Sequence, residues 1–177
     1  MAAGNRKNNQ DDKWVYAPAV MHACSTTKRH LKAYIPITDI LKREHCDGNN
    51  PFALEMALYL EDVETELAKS GKRNKAPIAD FSIGLSKGKS RRIRLVEAKF
   101  DVWNLKNIES ANVFDKVQHA TELLRDDGVQ IESGAIVLIN NSPIVQQQKR
   151  WLEQRLLPRG HFHVETVKEF YRLYFDS

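Results

Sequence analysis

Asp80, Glu97 and Lys99 are the residues of this chain whose types and spacing suit them to chemistry at a single point. They belong to residues 78–100, IADFSIGLSKGKSRRIRLVEAKF, a stretch with the pattern of two strands joined by a basic turn. Alternation puts residues i and i+2 of a strand on one face. Glu97 and Lys99 therefore project together, about 7 Å apart along the strand. Ile93 and Leu95 precede them on that face, while Arg92, Arg94, Val96, Ala98 and Phe100 take the other. The turn at 86–91, rich in Ser, Lys and Gly, sets Leu85 opposite Arg92, and counting back along that register brings Asp80 opposite Glu97. Two carboxylates and an ammonium then converge, whereas a slip of one residue would separate them.

Facing carboxylates repel, and a divalent cation held by their oxygens relieves the repulsion. Mg²⁺ takes one or two protein carboxylates and keeps waters for a substrate. Such an ion polarises a phosphodiester and lowers the pKa of a bound water. Lys99 would orient that water or neutralise charge building on the phosphate. A solvated ion-pair ladder is the plainer reading of the same residues. The apolar run Ile93, Leu95, Val96 ahead of Glu97 favours a more enclosed setting.

Asp80, sixteen intervening residues, then Glu97-Ala98-Lys99 at the end of an apolar strand resembles the PD-(D/E)XK nuclease superfamily, the restriction-endonuclease-like fold. Ala79 stands where that motif has proline, with Pro77 further back. The resemblance implies that Asp80 and Glu97 bind metal, that the carbonyl of Ala98 assists, and that Lys99 serves catalysis. It implies an α/β fold: a central mixed sheet flanked by helices around an α-β-β-β-α-β core. It also implies hydrolysis of DNA with Mg²⁺ as cofactor and Mn²⁺ as substitute. Endonuclease action is expected, since nothing suggests a ring or threading channel. Cutting both strands of a duplex needs two sites, which suits a homodimer. The alternative is a catalytically silent nucleic-acid- or partner-binding protein on the same fold, against which the intact Asp, Glu and Lys count. A structural ion-pair network in an unrelated α/β protein explains neither the register nor the order of elements.

The elements that must position this cluster are also legible. Asn50 and Pro51 open a helix that Gly71 stops, with Phe52, Met56, Leu60, Val63 and Leu67 as its buried face. Glu64 lies closest to the centre of that stripe; Glu55, Glu61 and Glu66 lie well off it. The family often places a further metal-binding Glu on the helix before the Asp strand. The resemblance thus offers Glu64 by geometry and Glu55 by its longer separation from Asp80. A short helix from Thr38 or Asp39 to Glu44 precedes it. Beyond Lys99, residues 101–108 form a loop beside the site. A helix from Ser110 to Asp127 then buries Val113, Val117, Ala120 and Leu124. Lys116 and Gln118 sit on its two shoulders, where some branches of the family place an auxiliary residue, and His119 is expected to be exposed. The continuous run 134–139, GAIVLI, reads as a strand buried on both faces and parallel to the Glu97 strand. A helix opened by Pro143, a strand around Phe162 and Val164, and a short amphipathic tail complete the chain.

Composition sets the class. The chain has 177 residues, 42% hydrophobic and 28% charged, which suits a single domain over residues 13–177. Residues 1–12 are polar and expected to be a disordered tail. The net charge of +4 is compatible with a nucleic-acid partner. The densest basic cluster, Lys87, Lys89, Arg91 and Arg92, is expected to bind the phosphate backbone. Two cysteines make no disulfide framework, and a zinc site from His22, Cys24, His45 and Cys46 lacks any usual ligand spacing. No segment has transmembrane length and no signal peptide is visible, so a cytoplasmic protein is expected, or a toxin secreted by a non-classical route. There is no glycine-rich phosphate loop, no GxSxG and no HExxH, and no organic cofactor is expected.

Overall fold

The computed structural model describes residues 13–46, 48, 50–102, 104–125, 128–140 and 145–176. The expected tail 1–12 and the helix start at Pro143 lie outside them. The elements run β1 (Val15–Tyr16), α1 (Pro18–Ala23), α2 (Ser25–Arg29), β2 (Tyr34–Pro36), α3 (Ile37–Arg43), β3 (Met56–Tyr59) and α4 (Leu60–Ser70). They continue β4 (Phe81–Lys87), β5 (Ser90–Lys99), α5 (Ser110–Leu124), β6 (Gln130–Ile139), α6 (Val145–Leu156), β7 (His163–Thr166) and α7 (Val167–Tyr174).

The described strands form one seven-stranded mixed sheet, ordered β2-β3-β4-β5-β6-β7, with β1 pairing β4 as well. Pairing is antiparallel from β2 to β5 and parallel from β5 to β7. The hairpin takes the register expected of it: Leu85 lies opposite Arg92 and Phe81 opposite Val96, so the next step back sets Asp80 beside Glu97. Alternation then divides the core. Ile93, Leu95 and Val137 face α1, α4 and α5, with Val20, Leu60, Val63, Val113 and Val117. Phe81, Ile83, Val96 and Ile136 face α3 and α7, with Ile40 and Phe170. Gly84 lets α1 cross close to the sheet, because a Cβ there would lie 2.6 Å from Cβ of Val20 and 2.7 Å from the Ala17 carbonyl oxygen.

The helix expected from Asn50 is corrected in its first half. Met56–Tyr59 is a strand, paired with β2 on one side and β4 on the other, and the helix begins at Leu60. Strand partners on both sides override a helical spacing that local sequence supports equally well. The stripe is correspondingly split: Phe52 packs in one core and Leu60 and Val63 in the other. Gly71 does end the helix, at its C-cap. The stripe of α5 is as expected, with Val113, Val117, Ala120 and Leu124 all buried. Arg94, on the α7 side of the sheet, is fully buried and donates to the His161 carbonyl at 2.8 Å, with Glu132 at 3.5 Å. Among the described residues no helix is long and apolar enough to cross a membrane.

Candidate functional site

Asp80 precedes β4 and is pinned by backbone on two sides. Its carbonyl accepts from Leu60 N at 2.8 Å, at the start of α4, and the neighbouring Ala79 N–H donates to the Lys116 carbonyl of α5 at 3.2 Å. The side chain is buried, and its Oδ2 accepts from the Ala98 N–H at 2.5 Å. The N–H and C=O of one strand residue point to the same edge of the strand, so the Ala98 carbonyl faces the Asp80 side too.

Glu97 is inaccessible to solvent and lies in register with Val137 of β6. Its Oε1 accepts from two ammonium groups, Lys99 at 2.5 Å and Lys116 at 2.9 Å. Its Oε2 is buried with no hydrogen-bond partner. An unpaired carboxylate oxygen away from water is costly, and a hard divalent cation is one partner that takes such oxygens.

The electrostatics are those of crowded acids. Burial first, then the Glu97 charge and then that of Glu44, push the Asp80 carboxyl up to about 8. Lys116 loses solvation on burial, but the Glu97 carboxylate more than offsets this and holds the ammonium above its ordinary value. Glu44, at the C-terminal end of α3, accepts from the Tyr59 hydroxyl at 2.6 Å. Burial, followed by that carboxylate, raises the Tyr59 hydroxyl well above its ordinary range. Three carboxyls thus face two ammoniums, and the cluster is neutral when Asp80 keeps its proton. With that proton gone the cluster carries a net charge of −1, which a bound cation would offset, so the residues present fit one.

The remaining expected site residues lie elsewhere or have other work. Glu64 is buried, but both of its oxygens are taken: Arg73 binds them at 2.5 and 3.0 Å, Ala76 N at 2.8 Å and His119 at 3.2 Å. Arg73 chiefly holds its carboxyl down to about 2. It ties α4 to α5 and to the segment leading into Asp80, and so anchors the site instead of supplying a third ligand. His119, expected to be exposed, is half-buried in that network. Glu55 accepts from the backbone of Ala53 and Leu54, at 2.7 and 3.0 Å, and is spent locally. Gln118 is exposed on the outer side of α5, its amide 3.4 Å from Glu122, while Lys116 reaches the site. The turn bearing Lys87, Lys89, Arg91 and Arg92 lies at the far end of the hairpin. Seven strand steps put it about 23 Å from Asp80. Arg92 there stacks on Trp14 at 4.6 Å.

Sequence reasoning missed Glu44 and Tyr59. The short helix ending at Glu44 was legible, but only packing shows that its end lies over β3 and near Asp80. One other group among the described residues gathers potential metal ligands: Glu153, His163 and Glu165, their atoms within 4.8 Å of one another. Glu153 there already accepts from Val164 N at 2.8 Å, and Lys149 stands 3.4 Å from Glu165. The suggested His22, Cys24, His45 and Cys46 set forms no such group among the described residues.

No family model matches the chain, and no curated protein or solved structure matches it.

Proposed function

We propose that the chain is a metal-dependent nuclease of the PD-(D/E)XK type, acting as an endonuclease on DNA. The observation that carries this reading is the buried, unpartnered Oε2 of Glu97 beside the Asp80 carboxyl and two ammonium groups. The order α3, β3, β4, β5, α5, β6, with α4 set between β3 and β4, supports it as a version of the α-β-β-β-α-β core.

Asp80 and Glu97 would hold Mg²⁺, or Mn²⁺ in its place, with the Ala98 carbonyl on the same side. A cation bound there supplies Lewis-acid polarisation of the phosphodiester and a more acidic bound water. The chain's own residues do the rest. The Ala98 N–H fixes the Asp80 carboxylate, so its orientation is set before substrate arrives. Lys99, about one-fifth exposed, is the ammonium positioned to meet an incoming phosphate oxygen or to orient the attacking water. Lys116, held against Glu97 Oε1 at 2.9 Å, keeps the second carboxylate in place. Glu44, held by the Tyr59 hydroxyl, adds negative potential near Asp80.

The test is incubation of supercoiled plasmid with Mg²⁺ or with chelator, using wild type and Lys99→Met. Nicking or linearisation that needs metal and is lost by at least ~100-fold in the variant is expected. An unchanged rate in a folded Lys99→Met variant refutes the assignment. DNA binding with no cleavage under any metal favours a silent binding protein on the same fold.

A further inference from the structure

We propose that the cavity beside Lys99 receives one unstacked nucleobase next to the scissile phosphate, and that it favours adenine and cytosine, which carry an amino group (N6, N4) where guanine and thymine carry a carbonyl. This rests on the hydrolytic reading of the Asp80–Glu97 cluster and specifies its substrate as single-stranded or frayed DNA.

The cavity has a volume of about 340 Å³, the size of a small ligand site. It lies between the end of β5 and the start of α5, and Lys99 is shared between it and the cluster. Buried Ile108 and Val113 with half-buried Val102 give it apolar walls, suited to the faces of a base. Asn107, Glu109 and Asn112 add exposed amide and carboxylate groups. Lys99 is the sole cationic lining residue among the described ones, and the Glu109 carboxylate disfavours a second phosphate. A flat, neutral, hydrogen-bonding occupant is what this chemistry accepts. Asparagine pairs with the N6/N7 edge of adenine, and a carboxylate accepts from the cytosine N4 amino group. Thymine offers a carbonyl at that place, which Glu109 would repel. A base stacked within a duplex cannot enter; it must be extruded or belong to a single strand.

The cavity is also built in advance. Gln148 of α6 accepts from Leu105 N at 2.8 Å, the Asn104 side chain accepts from Lys106 N at 3.1 Å, and Asn107 N donates to the Asn104 carbonyl at 2.9 Å. These bonds fix the 3-10 turn Leu105–Asn107 against α6. Preorganisation of this kind lowers the cost of binding. The α5 helix that contributes Asn112 and Val113 also carries Lys116, so one element sets both the cavity and the cluster.

The experiment measures anisotropy of labelled short oligo(dA), oligo(dC), oligo(dT) and the dA·dT duplex on an Asp80→Asn background in Mg²⁺, so that bound DNA is not cut. Wild-type cleavage of plasmid and of the same strands is followed in parallel. Tighter binding of dA and dC than of dT or duplex is expected, by about tenfold, the range of one good base contact. Added Asn112→Trp, which fills the cavity from an exposed helix position, should erase the preference, and Glu109→Gln should narrow it. Equal binding of dA and dT, duplex binding as tight as single strand, or a preference that survives both variants overturns the subsite. In each of those cases, wild-type cleavage with metal leaves the hydrolytic reading standing. Absence of metal-dependent cleavage of every substrate removes both.

Discussion

Replacing Asp80 by Asn should stabilise the metal-free protein, increasingly so as pH rises from about 4 to 8. The Asp80 carboxyl is raised to about 8 from an ordinary 3.8, because ionising it places a charge in a buried site facing Glu97 and Glu44. Between those values the folded protein keeps a proton that the unfolded chain has released. Stability therefore falls as pH rises through that window, and levels off above about 8. At 1.36 kcal/mol per pKa unit, the span has a ceiling of about 6 kcal/mol, which relaxation of the neighbours will reduce. Asn has the same shape, offers an oxygen to the Ala98 N–H, and has no charge to lose. Wild type and Asp80→Asn should melt alike at about pH 3.5, below the ordinary carboxyl value, and diverge steadily above it. Near pH 8.5, in chelator, the variant should melt higher by roughly 5–15 °C, at 2–4 °C per kcal/mol for a chain of this size. Mg²⁺ should then raise the wild-type melting point at pH 8.5 and leave the variant unmoved, since a ligand stabilises only the state it binds. The assay is thermal unfolding by circular dichroism across that pH range. Parallel curves for the two proteins, or a less stable variant at pH 8.5, would refute the electrostatic account of the site.

Three other substitutions probe what holds the site in place. Glu64→Ala removes the acceptor of Ala76 N and the partner of the solvent-accessible Arg73 and His119, and should cost about 1–3 kcal/mol, seen as a melting point lower by roughly 5 °C. Because Arg73 holds this carboxyl at about 2, its stabilisation is present above pH ~4.5 and disappears as pH falls towards 2; an acid titration of stability should show that loss in wild type and not in the variant. Gly84→Ala drives a Cβ into Val20 and the Ala17 carbonyl and should cost about 3 kcal/mol or more, measured by urea unfolding. Thr166→Ala removes the reciprocal cap with Glu169 at the start of α7 and should cost about 1 kcal/mol by the same measurement.

Legibility followed the range of the interaction. The β4–β5 register was readable because a turn of known chemistry joins two strands of strict alternation, so Leu85 against Arg92 fixes Asp80 against Glu97. The α5 stripe was readable from one helical period, and β6 from an unbroken apolar run. The strand Met56–Tyr59 was not, since its four residues suit a helix until β2 and β4 supply partners on both sides. The basic turn was seen as a cluster, but its distance from Asp80 follows from the length of the hairpin, which separates the two ends by its full span.

By itself the sequence determined the alternation, turn and helical stripes, and with them the meeting of Asp80, Glu97 and Lys99, because neighbours along two joined strands need no distant partner to align. The tertiary structure decided who completes that meeting. It brought Lys116 of α5 and Glu44 of α3 towards Asp80 and Glu97, and it drew Glu64 to Arg73 and His119. Such convergence depends on how helices remote in sequence pack over the sheet. Burial, which no local pattern fixes, then pushed the Asp80 carboxyl far above its ordinary value.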